Sequence, residues 1–256
     1  MKSDFRQRLH DGECVLGTML SEVSTPNVVR ILHACGFEFL LVDCEHGYFD
    51  LSQTAAIVSV CGCLGMPVII RIPEAGRELV TKYMDMGATG LLLSMTSTPE
   101  QAKQLVKYAK YAPLGQRGIS VQRAHTGYNP PPLSQYIKEA NDRTVLFVQI
   151  ETREGIKNIE DILSIDGIDG AMIGPNDMAG DFGCPGQIEN PEVEDGISKV
   201  LSTALHLHKP CGIISSNIQM LNKWHSRGMT ILSCNSEVGM MLKAGKEIVK
   251  EIAAFR

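Results

Sequence analysis

Two stretches near the middle of the chain decide the fold: residues 145–151 read VLFVQIE, and residues 170–177 read GAMIGPND. Neither shows the alternation of apolar and polar residues that is typical of a strand with one face exposed to solvent. Both are therefore typical of parallel strands that are covered on both sides. Runs of this kind occur eight times, at residues 15–20, 37–42, 67–71, 90–94, 145–150, 170–173, 212–215 and 229–233.

Helical patterns fill the intervals between these runs. Residues 98–101 (TPEQ) place threonine, proline and glutamine as in a capping box, and Thr25-Pro26 suggests another helix start. Gly65 and Gly87 are placed to end two helices in the left-handed conformation. Eight strand–helix units in this length predict an α/β fold, a (β/α)8 TIM barrel, as a single domain over residues 1–256.

An open, doubly wound sheet is the main competing architecture. It usually carries a Gly-x-Gly-x-x-Gly turn after its first strand. Here residues 21–24 read SEVS, without glycine, which favours the closed barrel. The one long irregular stretch, residues 111–132, is more typical of a functional loop than of an idle one.

Composition narrows the class of protein. The 256 residues are 44% hydrophobic and 21% charged, with a net charge of −5, which is ordinary for a packed globule. No block of like charge predicts a nucleic-acid partner, and no apolar run approaches the length of a membrane helix. Residues 1–13 lack the apolar core of a secretory signal. Eight cysteines are too sparse for a disulfide scaffold, so we expect a reducing cytoplasm.

Polar residues gather at the ends of the predicted strands. In a (β/α)8 barrel the chemistry sits at the carboxyl ends of the strands. The polar positions there are residues 43–47 (DCEHG), Arg71, Gln149, Glu151, residues 174–177 (GPND), residues 215–217 (SSN) and residues 234–236 (CNS).

Glu151 and Asp177 end neighbouring predicted strands at matching heights. Two carboxylates that converge in a cavity repel each other unless a cation lies between them. Oxygen ligands with few protein groups suit Mg²⁺ or Mn²⁺, completed by water and substrate oxygens. The alternative is that each acid pairs with a neighbouring arginine, such as Arg153, or caps a helix.

Arg71 ends a strand that reads VII before it, so its guanidinium needs an anion. The structural interpretation is a salt bridge with Asp43 or Glu45. The functional interpretation is recognition of a carboxylate or of a developing enolate oxygen. His46, also at a strand end, is either a structural histidine or a catalytic base.

Three further features bear on the chemistry. Asp85 falls in the last turn of a predicted helix, where its charge opposes the helix dipole. The default interpretation is an exposed surface residue without a function. The turn at Gly174 and Pro175 enters a helix whose N–H groups suit a carboxylate. None of the thirteen lysines ends a predicted strand; Lys82, Lys103, Lys107, Lys110, Lys246 and Lys250 lie on helices with a solvent face. This disfavours an imine-forming enzyme and favours metal activation.

Five motifs in order resemble the HpcH/HpaI aldolase family of metal-dependent pyruvate aldolases. They are residues 43–47 (DCEHG), 71–73 (RIP), 111–118 (YAPLGQRG), 149–152 (QIET) and 173–177 (IGPND). The resemblance runs from about Phe5 to the last helix. It implies a (β/α)8 barrel whose C-terminal helix packs on a neighbouring subunit, commonly in a hexamer.

The resemblance also implies roles for site residues. Glu151 and Asp177 would bind a divalent metal ion (Mg, Mn or Co), and Arg71 would stabilise the enolate. His46 would take part in proton transfer, paired with Asp85 from a neighbouring subunit. Gln149, Gly174 and Pro175 would position pyruvate, with Asp43 and Glu45 close behind the site. The segments at residues 93–96, 233–236 and 48–49 depart from the common family pattern, which leaves the aldehyde acceptor open.

These observations predict a carbon–carbon lyase. It would cleave a 4-hydroxy-2-oxo acid reversibly to pyruvate, or a related 2-oxo acid, and an aldehyde, through a metal-stabilised enolate. A related lyase acting on a CoA thioester is the second interpretation, although we find no basic patch for the nucleotide phosphates. The third is a non-catalytic protein that binds 2-oxo acids.

Overall fold

The computed structural model describes residues 5–255 and contains a closed barrel in which eight parallel strands follow one another in chain order. The strands are β1 (Val15–Leu20), β2 (Phe39–Asp43), β3 (Val68–Ile72), β4 (Gly90–Leu93), β5 (Val145–Ile150), β6 (Gly170–Ile173), β7 (Cys211–Ser215) and β8 (Ile231–Ser236). β8 pairs with β1 and closes the barrel, with a register shift near the end of β1. The predicted (β/α)8 barrel is confirmed.

Helices surround the barrel and also cover one end of it. They are α1 (Phe5–His10), α2 (Asn27–Ala34), α3 (Leu51–Leu64), α4 (Arg77–Met86), α5 (Pro99–Ala109), α6 (Leu133–Arg143), α7 (Arg153–Lys157), α8 (Ile159–Leu163), α9 (Pro175–Asp181), α10 (Pro191–His206), α11 (Ile218–His225) and α12 (Glu237–Ala253). Within residues 5–255 no helix combines the length and apolar character that crossing a membrane requires.

Helix boundaries follow the local chemistry that the sequence displays. Thr98 and Gln101 form the expected capping box at the start of α5. Gly65 and Gly87 end α3 and α4 with φ angles of 63° and 100°. The expectation at Thr25 is wrong in detail, because the residue before α2 is Pro26 and no side chain caps this helix.

The barrel interior is an apolar core that is closed from below by α1. Phe5 and Leu9 of this helix pack with Phe39 and Phe147 inside the strands. Gly17 leaves room for this packing, since a Cβ atom there would lie 2.4 Å from the ring of Phe39. A second core joins the outer faces of the strands to the helices, which explains why most of the strands are largely apolar.

The irregular segment at residues 111–132 follows α5 and therefore lies at the amino-terminal end of the barrel. It holds a short 3₁₀ turn (Ala124–Thr126) and leads into α6, which returns the chain to β5. His125 of this turn contacts the end of α4, where its Nδ1 lies 3.1 Å from the main-chain oxygen of Asp85.

Candidate active site

The carboxylate of Glu151 is buried at the end of β5 and is held through both of its oxygens. The side-chain amide of Gln149 donates to Oε1 at 2.6 Å. The main-chain N–H of Met95, just after β4, donates to Oε2 at 3.1 Å. Two neighbouring strands therefore fix the orientation of one acid.

The end of β6 packs directly against this carboxylate. A Cβ atom at Gly174 would lie 1.9 Å from Oε1 of Glu151, so any larger residue would have to displace this carboxylate. The chain then enters α9, with Pro175 buried and Asp177 exposed in the first turn. The predicted group of Gln149, Glu151, Gly174, Pro175 and Asp177 is thus brought to one edge of the barrel.

The electrostatics of this edge favour a bound cation. Burial raises the pKa of Glu151 to about 8, and the charges of Asp177 and Glu45 act in the same direction. A positive ion between the acids would stabilise the ionised form that crowding otherwise disfavours. The buried Oε1 of Gln149 has no hydrogen-bond partner within the described chain, so a polar ligand would find an acceptor beside the carboxylate.

The donor set fits a hard divalent cation with few protein ligands. Among residues 5–255 no group of three or more His, Cys, Asp or Glu side chains is arranged to hold a metal. Two carboxylates that leave the remaining positions to water and substrate oxygens suit Mg²⁺ or Mn²⁺. Glu151 and Asp177 are therefore the residues that would hold the ion.

Arg71 is buried at the same edge and forms the salt bridge that was one of its two predicted interpretations. Its Nε lies 3.0 Å from Oδ1 of Asp43, and its Nη2 lies 2.6 Å from Oδ2. Glu45 lies farther away, with 3.4 Å between its Oε2 and Nε of Arg71. Burial alone would lower the pKa of Arg71, but the acids, including Glu151, hold it above its usual value.

Asp43 serves as a hub for the loop that follows β2. Burial alone would raise its pKa, yet the Arg71 guanidinium holds it below the usual range. The same carboxylate accepts hydrogen bonds from the main-chain N–H groups of Glu45 and His46 at 3.1 and 3.2 Å. Asp43 thus links the guanidinium to the loop that carries the histidine.

His46 lies on the rim of the site and is largely open to solvent, with 69% of its side chain exposed. Its Nε2 is 3.9 Å from Oε2 of Glu45, too far for a hydrogen bond. The imidazole is therefore open to a ligand, and no carboxylate among residues 5–255 forms a hydrogen bond with it.

Asp85 lies at the opposite end of the barrel from the other site residues. It falls in the last turn of α4, which runs back from the carboxyl end of β3 to the start of β4. Its Oδ1 binds Nη2 of Arg117 at 2.7 Å. One chain does not bring Asp85 to its own site, so its catalytic role requires a second subunit and stays a prediction.

Two sequence-based interpretations, for Arg153 and Lys110, need correction. Arg153 does not pair with Glu151; its guanidinium binds Glu192 at 2.9 Å. Lys110 is buried rather than solvent-facing, and its Nζ donates to the main-chain oxygens of Asn141 and Thr144 at 2.6 Å. It lies just after α5, beside the start of β5 and not at the carboxyl ends of the strands.

Other polar strand ends turn out to be structural. At the end of β7, Ser215 accepts a hydrogen bond from the main-chain N–H of Asn217, whose side chain caps α11. The sequence did not indicate that Met95 contributes to the site, because its main-chain N–H, not its side chain, contacts Glu151. Its left-handed conformation, with φ of 46°, is unusual for methionine and has no sequence signal.

Comparisons with known proteins agree with this geometry. The family description HpcH/HpaI aldolase/citrate lyase matches residues 18–244. The hydroxypyruvate/pyruvate aldolase of Deinococcus radiodurans is 30% identical over 249 residues, which cover 97% of this chain and 89% of that protein. A crystal structure of an HpcH/HpaI aldolase from Desulfitobacterium hafniense has a TM-score of 0.93 and 30% identity, and the match covers 97% of this chain and 96% of that chain.

A more distant structure shares the fold alone. The citrate lyase β subunit of M. tuberculosis, complexed with oxaloacetate and magnesium, has a TM-score of 0.58 and 14% identity. The match covers 89% of this chain and 93% of that one. From the barrel, the strand-end site and the family match, we conclude that this chain is a carbon–carbon lyase of the aldolase kind and belongs to the HpcH/HpaI aldolase/citrate lyase family.

Proposed function

We propose that this chain is a divalent-metal-dependent aldolase that reversibly cleaves a 4-hydroxy-2-oxo acid to pyruvate, or a related 2-oxo acid, and an aldehyde. The observation that carries the proposal is the buried, doubly anchored carboxylate of Glu151, with Asp177 acting on its pKa and Arg71 close by. The relative named a hydroxypyruvate/pyruvate aldolase supports the 2-oxo acid. The distant fold relative complexed with magnesium supports a divalent ion.

Glu151 and Asp177 would hold this ion. When bound, it would supply Lewis-acid polarisation of the oxygens of the 2-oxo acid. Gln149 would add a polar contact through its unpartnered oxygen, and Gly174 with Pro175 would form the wall against which the pyruvate part rests.

The chain's own residues then account for the transfer of protons and charge. In the cleavage direction His46 accepts the proton of the 4-hydroxyl group. The C3–C4 bond breaks, its electrons pass to the pyruvate fragment as an enolate, and the aldehyde departs. Arg71, held in place by Asp43, offers its positive charge to the developing oxyanion. The proton on His46 then returns to C3, which completes pyruvate and regenerates the base. Asp85 of a neighbouring subunit would orient His46.

A lyase acting on a CoA thioester is the less favoured alternative. A nucleotide handle would need basic side chains near the site for its phosphates. The charged residues that meet at this edge are mainly acids, and the proposed mechanism assigns Arg71 to the enolate oxygen and not to a phosphate. A homo-oligomer, hexameric by resemblance, and a cytoplasmic location stay predictions.

Removal of the metal tests the proposal. We expect excess EDTA to abolish cleavage of 4-hydroxy-2-oxo acids, and Mg²⁺, Mn²⁺ or Co²⁺ to restore it. A panel of aldehydes incubated with pyruvate and Mn²⁺, with the products identified by mass spectrometry, would name the acceptor. Full activity in excess EDTA would contradict the metal, and an inactive panel together with thioester cleavage would favour the alternative.

The role of Arg71 is tested by pyruvate alone. We expect Arg71→Ala to slow exchange of the pyruvate methyl protons by about 100-fold or more, because the oxyanion loses its positive partner. Arg71→Lys, which keeps the charge but not the paired contact with Asp43, should fall in between. Mn²⁺ titration by calorimetry should show that both variants still bind metal. Unchanged proton exchange in the alanine variant would rule the role out.

A further inference from the structure

Glu237 is a buried acid at the top of the barrel that the mechanism above does not use. It is the first residue of α12 and only 2% exposed. Its carboxylate contacts the loop that follows β1, more than two hundred residues earlier in the chain. A buried carboxylate is costly unless hydrogen bonds compensate it.

That compensation comes from three successive main-chain N–H groups. Oε1 of Glu237 accepts from Ser21 at 2.9 Å, from Glu22 at 2.6 Å and from Val23 at 3.0 Å. Oε2 accepts a second contact from the main chain of Ser21, at 3.0 Å. One oxygen therefore accepts hydrogen bonds from all three residues of the loop at residues 21–23, and these bonds restrict the movement of the loop.

The clamped loop touches the loop that carries the proposed base. A Cβ atom at Gly47 would lie 2.6 Å from the main-chain oxygen of Ser21 and 2.3 Å from that of Asp43. Gly47 is thus wedged between the two loops and follows His46 directly. On its other side, His46 is held through its main-chain N–H by Asp43. The position of the His46 main chain depends on both contacts.

We propose that Glu237 is a positioning residue that fixes His46 through the loop at residues 21–23 and Gly47. This inference rests on the proposed function, in which His46 moves the proton of the 4-hydroxyl group. An error of about 1 Å in the placement of a catalytic group can cost about 100-fold in rate. Glu237 therefore affects the turnover rate through the position of His46, without contacting the substrate.

The test compares three variants of the full-length enzyme. Glu237→Leu removes both acceptors and should lower kcat about 10- to 100-fold, with KM for the 2-oxo acid and Mn²⁺ affinity unchanged. Glu237→Gln keeps one oxygen for the three N–H groups and should recover most of kcat. Asp169→Asn is the matched control, because Asp169 is a buried acid that anchors Arg6 at the opposite end of the barrel.

Amide hydrogen exchange supplies a readout that is independent of activity. Exchange at residues 21–23 should accelerate in Glu237→Leu and stay slow in Glu237→Gln and Asp169→Asn. If Glu237→Leu does not fold, Gly47→Ala tests the same chain of contacts from the other side, because its Cβ must displace Ser21 or Asp43. It should show the same selective loss of kcat.

The outcomes separate the two proposals. An active wild type whose Glu237→Leu and Gly47→Ala variants lose no more kcat than Asp169→Asn overturns the positioning role alone. Unchanged exchange at residues 21–23 in Glu237→Leu also overturns it. A wild type without aldol cleavage in any metal overturns the proposed function, and the positioning role falls with it.

Discussion

At the scale of single residues, the proposed metal site depends on a position with no side chain. Gly174 allows the end of β6 to approach the carboxylate of Glu151, which Gln149 and Met95 hold from β5 and the turn after β4. Residues that only orient a metal ligand are typically worth 10- to 100-fold in metal affinity. The absence of a Cβ atom at Gly174 should therefore affect metal affinity as much as a polar contact to the ligand does.

This gives a prediction with a close control in the same helix region. We expect Gly174→Ala to weaken Mn²⁺ binding about tenfold or more, because its Cβ would displace the carboxylate oxygen of Glu151. Gly180 of α9 has open space around it, so Gly180→Ala should leave Mn²⁺ binding unchanged. Isothermal titration of the metal measures both. Equal affinities in the two variants would contradict the proposed ligand geometry.

At the scale of elements, the two helices between β4 and β5 are tied together by a buried lysine. The amino group of Lys110, just after α5, binds main-chain oxygens at the end of α6 and just beyond it. Burial lowers the pKa of Lys110 to about 8. Between this value and the usual pKa of lysine, the unfolded chain binds more protons than the folded chain, so the free energy of unfolding rises with pH.

The corresponding prediction compares wild type with Lys110→Met. Between pH 8 and pH 10 the free energy of unfolding of the wild type should rise relative to that of the variant by about 2 kcal/mol. Other titrating groups cancel in the difference, and the lost hydrogen bonds add an offset that does not depend on pH. Urea unfolding at the two pH values measures the effect. Parallel pH profiles would show that Lys110 titrates normally.

At the scale of the whole molecule, two features point beyond a single chain. The outer face of α12 leaves large apolar side chains exposed: Met241, Leu242, Ile248, Val249 and Ile252. Asp85 lies at the far end of the barrel from His46, so the two can meet only between subunits. We therefore expect this apolar face to be a site of association, as the family resemblance implies.

Mixed oligomers test whether the site is shared. His46→Ala and Asp85→Ala should each be nearly inactive. If the two residues meet across a two-fold interface, unfolding and refolding an equal mixture should restore about a quarter of wild-type activity, since half of the pairs are mixed and each contains one intact site. Each variant refolded alone is the control. No recovery in the mixture, with oligomers confirmed by light scattering, would place Asp85 outside the site.

Much of the barrel follows from local patterns in the chain. The apolar runs predict eight strands, because a strand that is buried on both faces reads as a nearly continuous apolar run. Three of these strands, β1, β5 and β6, have the predicted bounds. The polar ends of β2, β3, β5 and β6 likewise predict a common site, since the carboxyl ends of barrel strands meet at one face. That residues 1–256 form one domain stays a prediction.

The tertiary structure alone decides which of these polar groups touch. Arg71 had two interpretations, and only the packing of β2 beside β3 shows that Asp43 holds it. The hydrogen bonds that the N–H groups of residues 21–23 donate to Glu237 join the first and last parts of the barrel, which are too far apart in sequence for any local pattern to relate them. Local propensity and the pattern of burial act over a few residues and can be predicted from the sequence. The closure of a barrel brings distant residues together, and only the folded geometry specifies those contacts.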